Sequence, residues 1–247
     1  MAELDGVWWS SVGEGPAVVV PRLNVDWSSM DLSALTERCR VVIVAPRGFG
    51  PSERPGSYDM SGFVRDVERV LDHLGIDSYA TFGYSMNGVM AARLARSSAR
   101  VTAVACGGFP LTADLTGMGH RARARNAAAR QDPQAWEEVL ATYDPVAAEA
   151  FWDDIASLPR AALADLDRPL RAWWGEEDAV VASLLSPVQL ERDLDARGIP
   201  YEVVPGLDHD GMLRRIDLVL PAISAWLSRS AERPRHDRDH HGRGDEV

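Results

Sequence analysis

Short, unbroken apolar runs alternate along this chain with stretches whose apolar residues recur every three or four positions. The runs Arg40 to Ala45, Ser78 to Phe82, Val101 to Ala105, Leu170 to Trp174 and Tyr201 to Val204 have strand length and are bounded by turn residues. Such runs are the pattern of strands buried on both faces. From Ser61 onward Phe63, Val64, Val67, Val70, Leu71 and Leu74 mark one face of a helix, which Gly75 ends. Asp31 to Cys39, Asn87 to Ser97, Pro187 to Arg197 and Met212 to Ser228 also read as helices. Ahead of them, Val7 to Val12 and Ala17 to Val20 read as strands joined by the turn Gly13-Glu14-Gly15-Pro16, which predicts a hairpin. Strands alternating with helices predict an α/β fold with a mostly parallel central sheet and helices on both faces.

The rhythm breaks once. Thr112 to Asp165 holds no convincing strand but has helical stretches near Arg121–Arg130, Gln134–Tyr143 and Val146–Ile155. The pattern therefore divides the chain into a core over residues 1–111 and 166–229, a helical insertion over 112–165, and a charged, aperiodic tail over 230–247 that is expected to be disordered. No internal repeat is visible.

Composition narrows the chemistry. The 247 residues, 46% hydrophobic, suit one α/β domain with a real core. The net charge of −11 argues against nucleic acid or an anionic membrane as partner, and mainly serves solubility. There is no lysine: all 26 basic residues are arginine. Schiff-base chemistry, a P-loop lysine and a Ser-Lys mechanism are thereby excluded. The richness in Ala, Arg, Asp and Gly fits a GC-rich bacterial genome. Cys39 and Cys106 are far apart and read as buried free thiols, which fits a reducing cytoplasm. The acidic start, Met1 to Asp5, does not read as a signal peptide, and no apolar run reaches membrane-spanning length.

The candidate chemistry centres on Thr81-Phe82-Gly83-Tyr84-Ser85-Met86-Asn87-Gly88, where an apolar run meets a helix. A serine between small residues at such a turn is a nucleophile elbow: strained backbone exposes the hydroxyl beside a helix N-terminus that favours an oxyanion. The usual pattern is G-x-S-x-G, and Asn87 stands where the last glycine is expected. A serine hydroxyl needs a base, and the base needs a group to orient it. Among the six histidines, His236, His240 and His241 lie in the tail, His73 on the exposed register of a helix and His120 in the insertion. His209 follows a strand and precedes the last helix, so it belongs to the sheet edge where α/β sites lie. After the strand Leu170–Trp174, Gly175-Glu176-Glu177-Asp178 offers the carboxylate, with Asp178 first and Glu177 second; Asp208 and Asp210 fit turn-forming and helix-capping roles.

In the order Ser85, Asp178, His209, these residues resemble the triad of the α/β-hydrolase fold superfamily. The resemblance extends to about the last helix. It rests on the stretch from Asp5-Gly6 through Gly15-Pro16, the loop Pro46-Arg47-Gly48-Phe49-Gly50-Pro51-Ser52, the elbow, and the loops Gly175–Asp178 and Gly206–Gly211. It implies a small serine hydrolase in which 112–165 forms a helical cap that sets specificity. It also implies an oxyanion hole from the backbone N–H groups of Met86 and Leu23. The chain departs from the family at Pro21-Arg22-Leu23-Asn24, where His-Gly is usual. Arg22 would there bind a substrate carboxylate or enolate, or stay solvated, and Asn24 would add an amide to the site. Asn87 would support the serine loop or line the pocket floor, while Trp27, Trp173 and Trp174 read as core or wall. The implied reaction is hydrolysis of an ester, lactone or thioester of a small molecule, with no metal or cofactor. C–C bond, lyase, cyclase or cofactor-free peroxide chemistry in a natural-product pathway is the alternative, and a non-catalytic binding protein a third. A homodimer stays open.

Overall fold

The computed structural model describes residues 2–231. The tail expectation lies, from residue 232 on, outside the described residues, as do His236, His240 and His241. The strands are β1 (Ala2–Leu4), β2 (Val7–Val12), β3 (Ala17–Pro21), β4 (Arg40–Ala45), β5 (Tyr79–Tyr84), β6 (Val101–Gly107), β7 (Leu170–Gly175) and β8 (Tyr201–Val204). They form one sheet in the order β1-β2-β4-β3-β5-β6-β7-β8. From β3 to β8 every pairing is parallel, and β1 and β2 add an antiparallel edge.

The helices are α1 (Ser33–Thr36), α2 (Met60–His73), α3 (Met86–Ser97), α4 (Met118–Ala129), α5 (Pro133–Thr142), α6 (Pro145–Ala156), α7 (Ala179–Leu184), α8 (Pro187–Asp195), α9 (His209–Arg214) and α10 (Leu220–Ala231). The period-2 alternation of the strands sorts the core into two layers. Val19, Val42 and Val44 pack with α2, α3, α6 and α8 on one face. Val18, Val20, Val41 and Ile43 pack with α1, α9 and α10 on the other. This is the α/β-hydrolase fold, with a mostly parallel sheet and helices on both faces.

The expected hairpin does not form. β2 pairs with β4 on one side, while β3 passes to the other side of β4 and pairs there in parallel. Burial explains the choice: Val18, Val19 and Val20 are fully buried, so β3 needs cover on both faces and takes a central place. β2 is only partly covered and serves near the edge. The expected single last helix is also broken. Arg215 leaves the helical region at φ −111°, ψ 35°, a 3-10 turn spans Ile216–Leu218, and α10 restarts just ahead of Pro221, which has no N–H to continue a ladder. Two short elements, β1 and α7, carried too few residues to show a period.

Segment 112–165 holds the three helices α4, α5 and α6, with turns over 112–117 and 157–165. It is tied to the loop after β4: Gly50 N–H donates to the Thr142 carbonyl at 2.8 Å, and Asp144 N–H to the Gly48 carbonyl at 2.7 Å. No helix among the described residues is long and apolar enough to cross a membrane.

Candidate active site

Parallel strands place their C-terminal ends on one edge, and the loops leaving β5, β7 and β8 meet there. Ser85 joins β5 to α3 at φ 57°, ψ −131°, a left-handed conformation that few non-glycine residues adopt. Two glycines make the tight turn possible. A Cβ on Gly88 would stand 2.6 Å from the Cys106 Sγ on β6. A Cβ on Gly83 would collide with the backbone of Asn87. The helix therefore starts hard against the sheet, and Ser85 projects from the corner.

Asp178 is the N-cap of α7, and its Oδ1 accepts from the Val180 and Val181 N–H groups at 2.9 and 3.0 Å. That capping fixes the carboxylate and leaves Oδ2 for His209 Nδ1, 2.8 Å away. His209 Nε2 lies 3.0 Å from Ser85 Oγ. A carboxylate only accepts, so the neutral imidazole carries its proton on Nδ1 and presents bare Nε2 to the serine hydroxyl. The Asp178 side chain is fully buried, whereas that of His209 keeps 19% exposure. The β7 and β8 loops are clamped together: Glu176 N–H donates to the Val204 carbonyl at 2.9 Å and Glu177 N–H to the Leu207 carbonyl at 3.0 Å. Asp208 is occupied as the N-cap of α9, accepting from Gly211 N–H at 2.6 Å. Glu177 is exposed, and Asp178 is the carboxylate that reaches the imidazole.

The structure also brings in a residue that pattern reading passes over. The Tyr84 hydroxyl lies 2.9 Å from the His209 carbonyl, 3.2 Å from Asp178 Oδ2 and 3.4 Å from His209 Nδ1. Its ring lies against the imidazole, with centroids 4.9 Å apart. Burial, followed by the nearby Asp178 carboxylate, drives the phenol well above its ordinary range, so it stays a donor. Every position of β5 is buried, so no periodicity separates Tyr84 from ordinary core.

The Pro21–Asn24 loop differs from the family expectation. The Leu23 N–H does not stand free: it donates to Asn87 Oδ1 at 2.7 Å. Asn87 Nδ2 donates in turn to Asn24 Oδ1 at 2.9 Å and to the Tyr84 carbonyl at 3.2 Å. Asn87 is fully buried and ties the elbow to this loop, and the Asn24 carboxamide oxygen is spent on the same tie. Met86 opens α3, so its N–H has no acceptor inside the helix. Arg22 turns to Asp26 at 2.9 Å and lies over the Trp8 ring, 4.8 Å from its centroid. The guanidinium is thus bound to its own neighbours rather than held ready for a carboxylate. Trp27, Trp173 and Trp174 are buried; Trp173 stacks on Phe82 and Trp174 on Tyr201, both at 5.4 Å between centroids. His73 and His120 are exposed. Among the described residues no group of three or more His, Cys, Asp or Glu is placed to hold a metal ion.

An eight-stranded, mostly parallel sheet with a serine elbow on its C-terminal edge defines a protein of the α/β-hydrolase class. The chain has the α/β-hydrolase fold, and its residues 23–110 match the alpha/beta hydrolase fold family, a span that contains Leu23 and Ser85 but neither Asp178 nor His209. It is 34% identical over 101 residues to haloalkane dehalogenase 2 of Mycobacterium tuberculosis. That stretch is 38% of this chain and 35% of the relative, so the match spans about a third of the length of the curated relatives. Solved structures share the fold over nearly the whole chain. An esterase from Thermogutta terrifontis is 22% identical, with a TM-score of 0.68 over 91% of this chain and 94% of that one. An enol-lactonase from Burkholderia xenovorans is 21% identical, with a TM-score of 0.64 over 90% and 96%.

Proposed function

We propose that the protein is a serine hydrolase that cleaves an ester, lactone or thioester of a small organic molecule. The relay Ser85 Oγ, His209 Nε2, His209 Nδ1 and Asp178 Oδ2, with links of 3.0 and 2.8 Å, carries this reading. Ser85 Oγ attacks the carbonyl carbon and its proton passes to His209. The tetrahedral intermediate collapses, and His209 returns the proton to the leaving group. Water then attacks the acyl-Ser85 ester, His209 again taking and returning the proton. Asp178 holds the imidazole in the tautomer that accepts at Nε2 and balances the imidazolium. The Met86 N–H at the start of α3 faces the developing oxyanion. No metal or cofactor is needed. Helices α4 to α6 act as a cap that sets the size of the acyl group.

The dehalogenase likeness does not extend to halide displacement. A serine attacking a saturated carbon forms an ether, which water does not hydrolyse, whereas a carboxylate nucleophile forms an ester, which it does. Ser85 therefore favours acyl over alkyl transfer. One observation favours a second reading: with Leu23 N–H engaged by Asn87, the site is poor in oxyanion donors. That suits acid–base chemistry by His209, such as a lyase, cyclase or C–C bond-cleaving step.

A panel of chromogenic esters, lactones and thioesters separates the two. For the hydrolase, Ser85→Ala and His209→Ala each lower kcat by about 10⁴-fold or more. Turnover that survives Ser85→Ala but not His209→Ala would favour the second reading.

A further inference from the structure

We infer that Asn87 restricts this site to activated acyl groups by withholding its second oxyanion donor. The inference rests on Ser85 being the acyl-forming nucleophile. It is carried by three hydrogen bonds of one buried side chain. Asn87 Oδ1 accepts from Leu23 N–H at 2.7 Å, and Nδ2 donates to Asn24 Oδ1 at 2.9 Å and to the Tyr84 carbonyl at 3.2 Å. These partners fix the amide: rotated by half a turn, it would set its NH₂ against an N–H and its oxygen against two oxygens.

The Leu23 N–H reaches the elbow through Asn87 Oδ1, 2.7 Å away and two residues past Ser85. β3 and β5 pair in parallel with Val18 opposite Ala80 and Val19 opposite Thr81. Both strands run towards the same sheet edge, where Leu23 follows the end of β3 and Ser85 the end of β5. Asn87 lies two residues past Ser85, on the first turn of α3. Its carboxamide oxygen thus takes the donor that a substrate oxyanion would otherwise use, and Met86 N–H is left to act without it. A glycine at this position would have no such oxygen.

The consequence is selective. A donor to an oxyanion is typically worth about 10²–10³ in rate. The loss weighs most where the transition state carries most charge on oxygen, which is attack on an unactivated alkyl ester. Aryl esters, enol esters and thioesters have better leaving groups and earlier transition states, and lose less. The substrate class that fits is therefore an activated acyl compound.

The test measures kcat/KM for p-nitrophenyl butyrate and for ethyl butyrate in the wild type, Asn87→Ala, Asn24→Ala and Ser85→Ala. Asn87→Ala frees the Leu23 N–H and is expected to raise the ethyl ester rate about tenfold or more, so that the preference for the aryl ester falls by a similar factor. Asn24→Ala removes an exposed side chain that steadies the Asn87 amide, and is expected to lower the preference severalfold; it decides the matter if Asn87→Ala does not fold. A role confined to anchoring the loop would lower both rates together and leave their ratio unchanged, and that result overturns the inference. Ester turnover persisting in Ser85→Ala would instead overturn the nucleophile reading, and this inference with it.

Discussion

Tyr84 shows how much of the site depends on single atoms next to the reacting groups. Its hydroxyl reaches both the backbone and the carboxylate partner of His209, so it acts through the imidazole rather than on the substrate. Tyr84→Phe removes one buried donor, worth about 0.5–1.5 kcal/mol net. The expected outcome in steady-state kinetics is a fall in kcat of roughly two- to tenfold with KM little changed. The cysteines make the opposite case. Cys39 is fully buried, and desolvation, partly countered by the Arg38 charge, raises its thiol to about 11. Cys106, buried against Gly88, is raised further by desolvation alone. A raised thiol pKa means less thiolate at any given pH, about one part in a thousand for Cys39 at pH 8. A thiol-titrating reagent at that pH is therefore expected to find no rapidly reacting cysteine in the folded protein and two after denaturation.

The elbow is an element in which sequence and fold agree for a mechanical reason. α3 begins so close to β6 that Gly88 admits no Cβ, which would meet the Cys106 Sγ at 2.6 Å. Alanine is the better helix former by about 1 kcal/mol, but overpacking typically costs about 1–3 kcal/mol. Gly88→Ala is therefore expected to lower the urea midpoint, with a net destabilisation of up to about 2 kcal/mol at unchanged m. The central strands were legible because burial on both faces makes them continuous apolar runs, and β4 and β8 have the bounds that their runs indicate. The path of the chain was less so. A turn between two strands looks the same whether they pair directly or, as here, flank a third strand that comes later in sequence. The site divides in the same way. Ser85, Asp178 and His209 could be picked out because each follows a strand and has a distinctive residue type. The link from Asn87 to Leu23 could not, because it is a contact across 64 positions between a helix and a loop, and neither carries a period.

For the whole molecule, the account comes down to one sheet edge. Ser85 leaves β5, Asp178 follows β7 and His209 follows β8, and loop-to-loop hydrogen bonds hold the last two together. On the other side of β5, the loop after β3 meets the same elbow through Asn87. Helices α4 to α6 are tied to the loop after β4 on that rim. The Arg93–Asp154 ion pair, 2.8 Å, links α3 to α6. A relay arranged in this way should make one hydroxyl far more nucleophilic than any other serine in the chain. Intact-mass spectrometry after exposure to a fluorophosphonate measures that directly. The account requires a single adduct that maps to Ser85, is absent in Ser85→Ala and is strongly slowed in His209→Ala. A folded wild-type protein that forms no adduct, or one that maps to another residue, would contradict it.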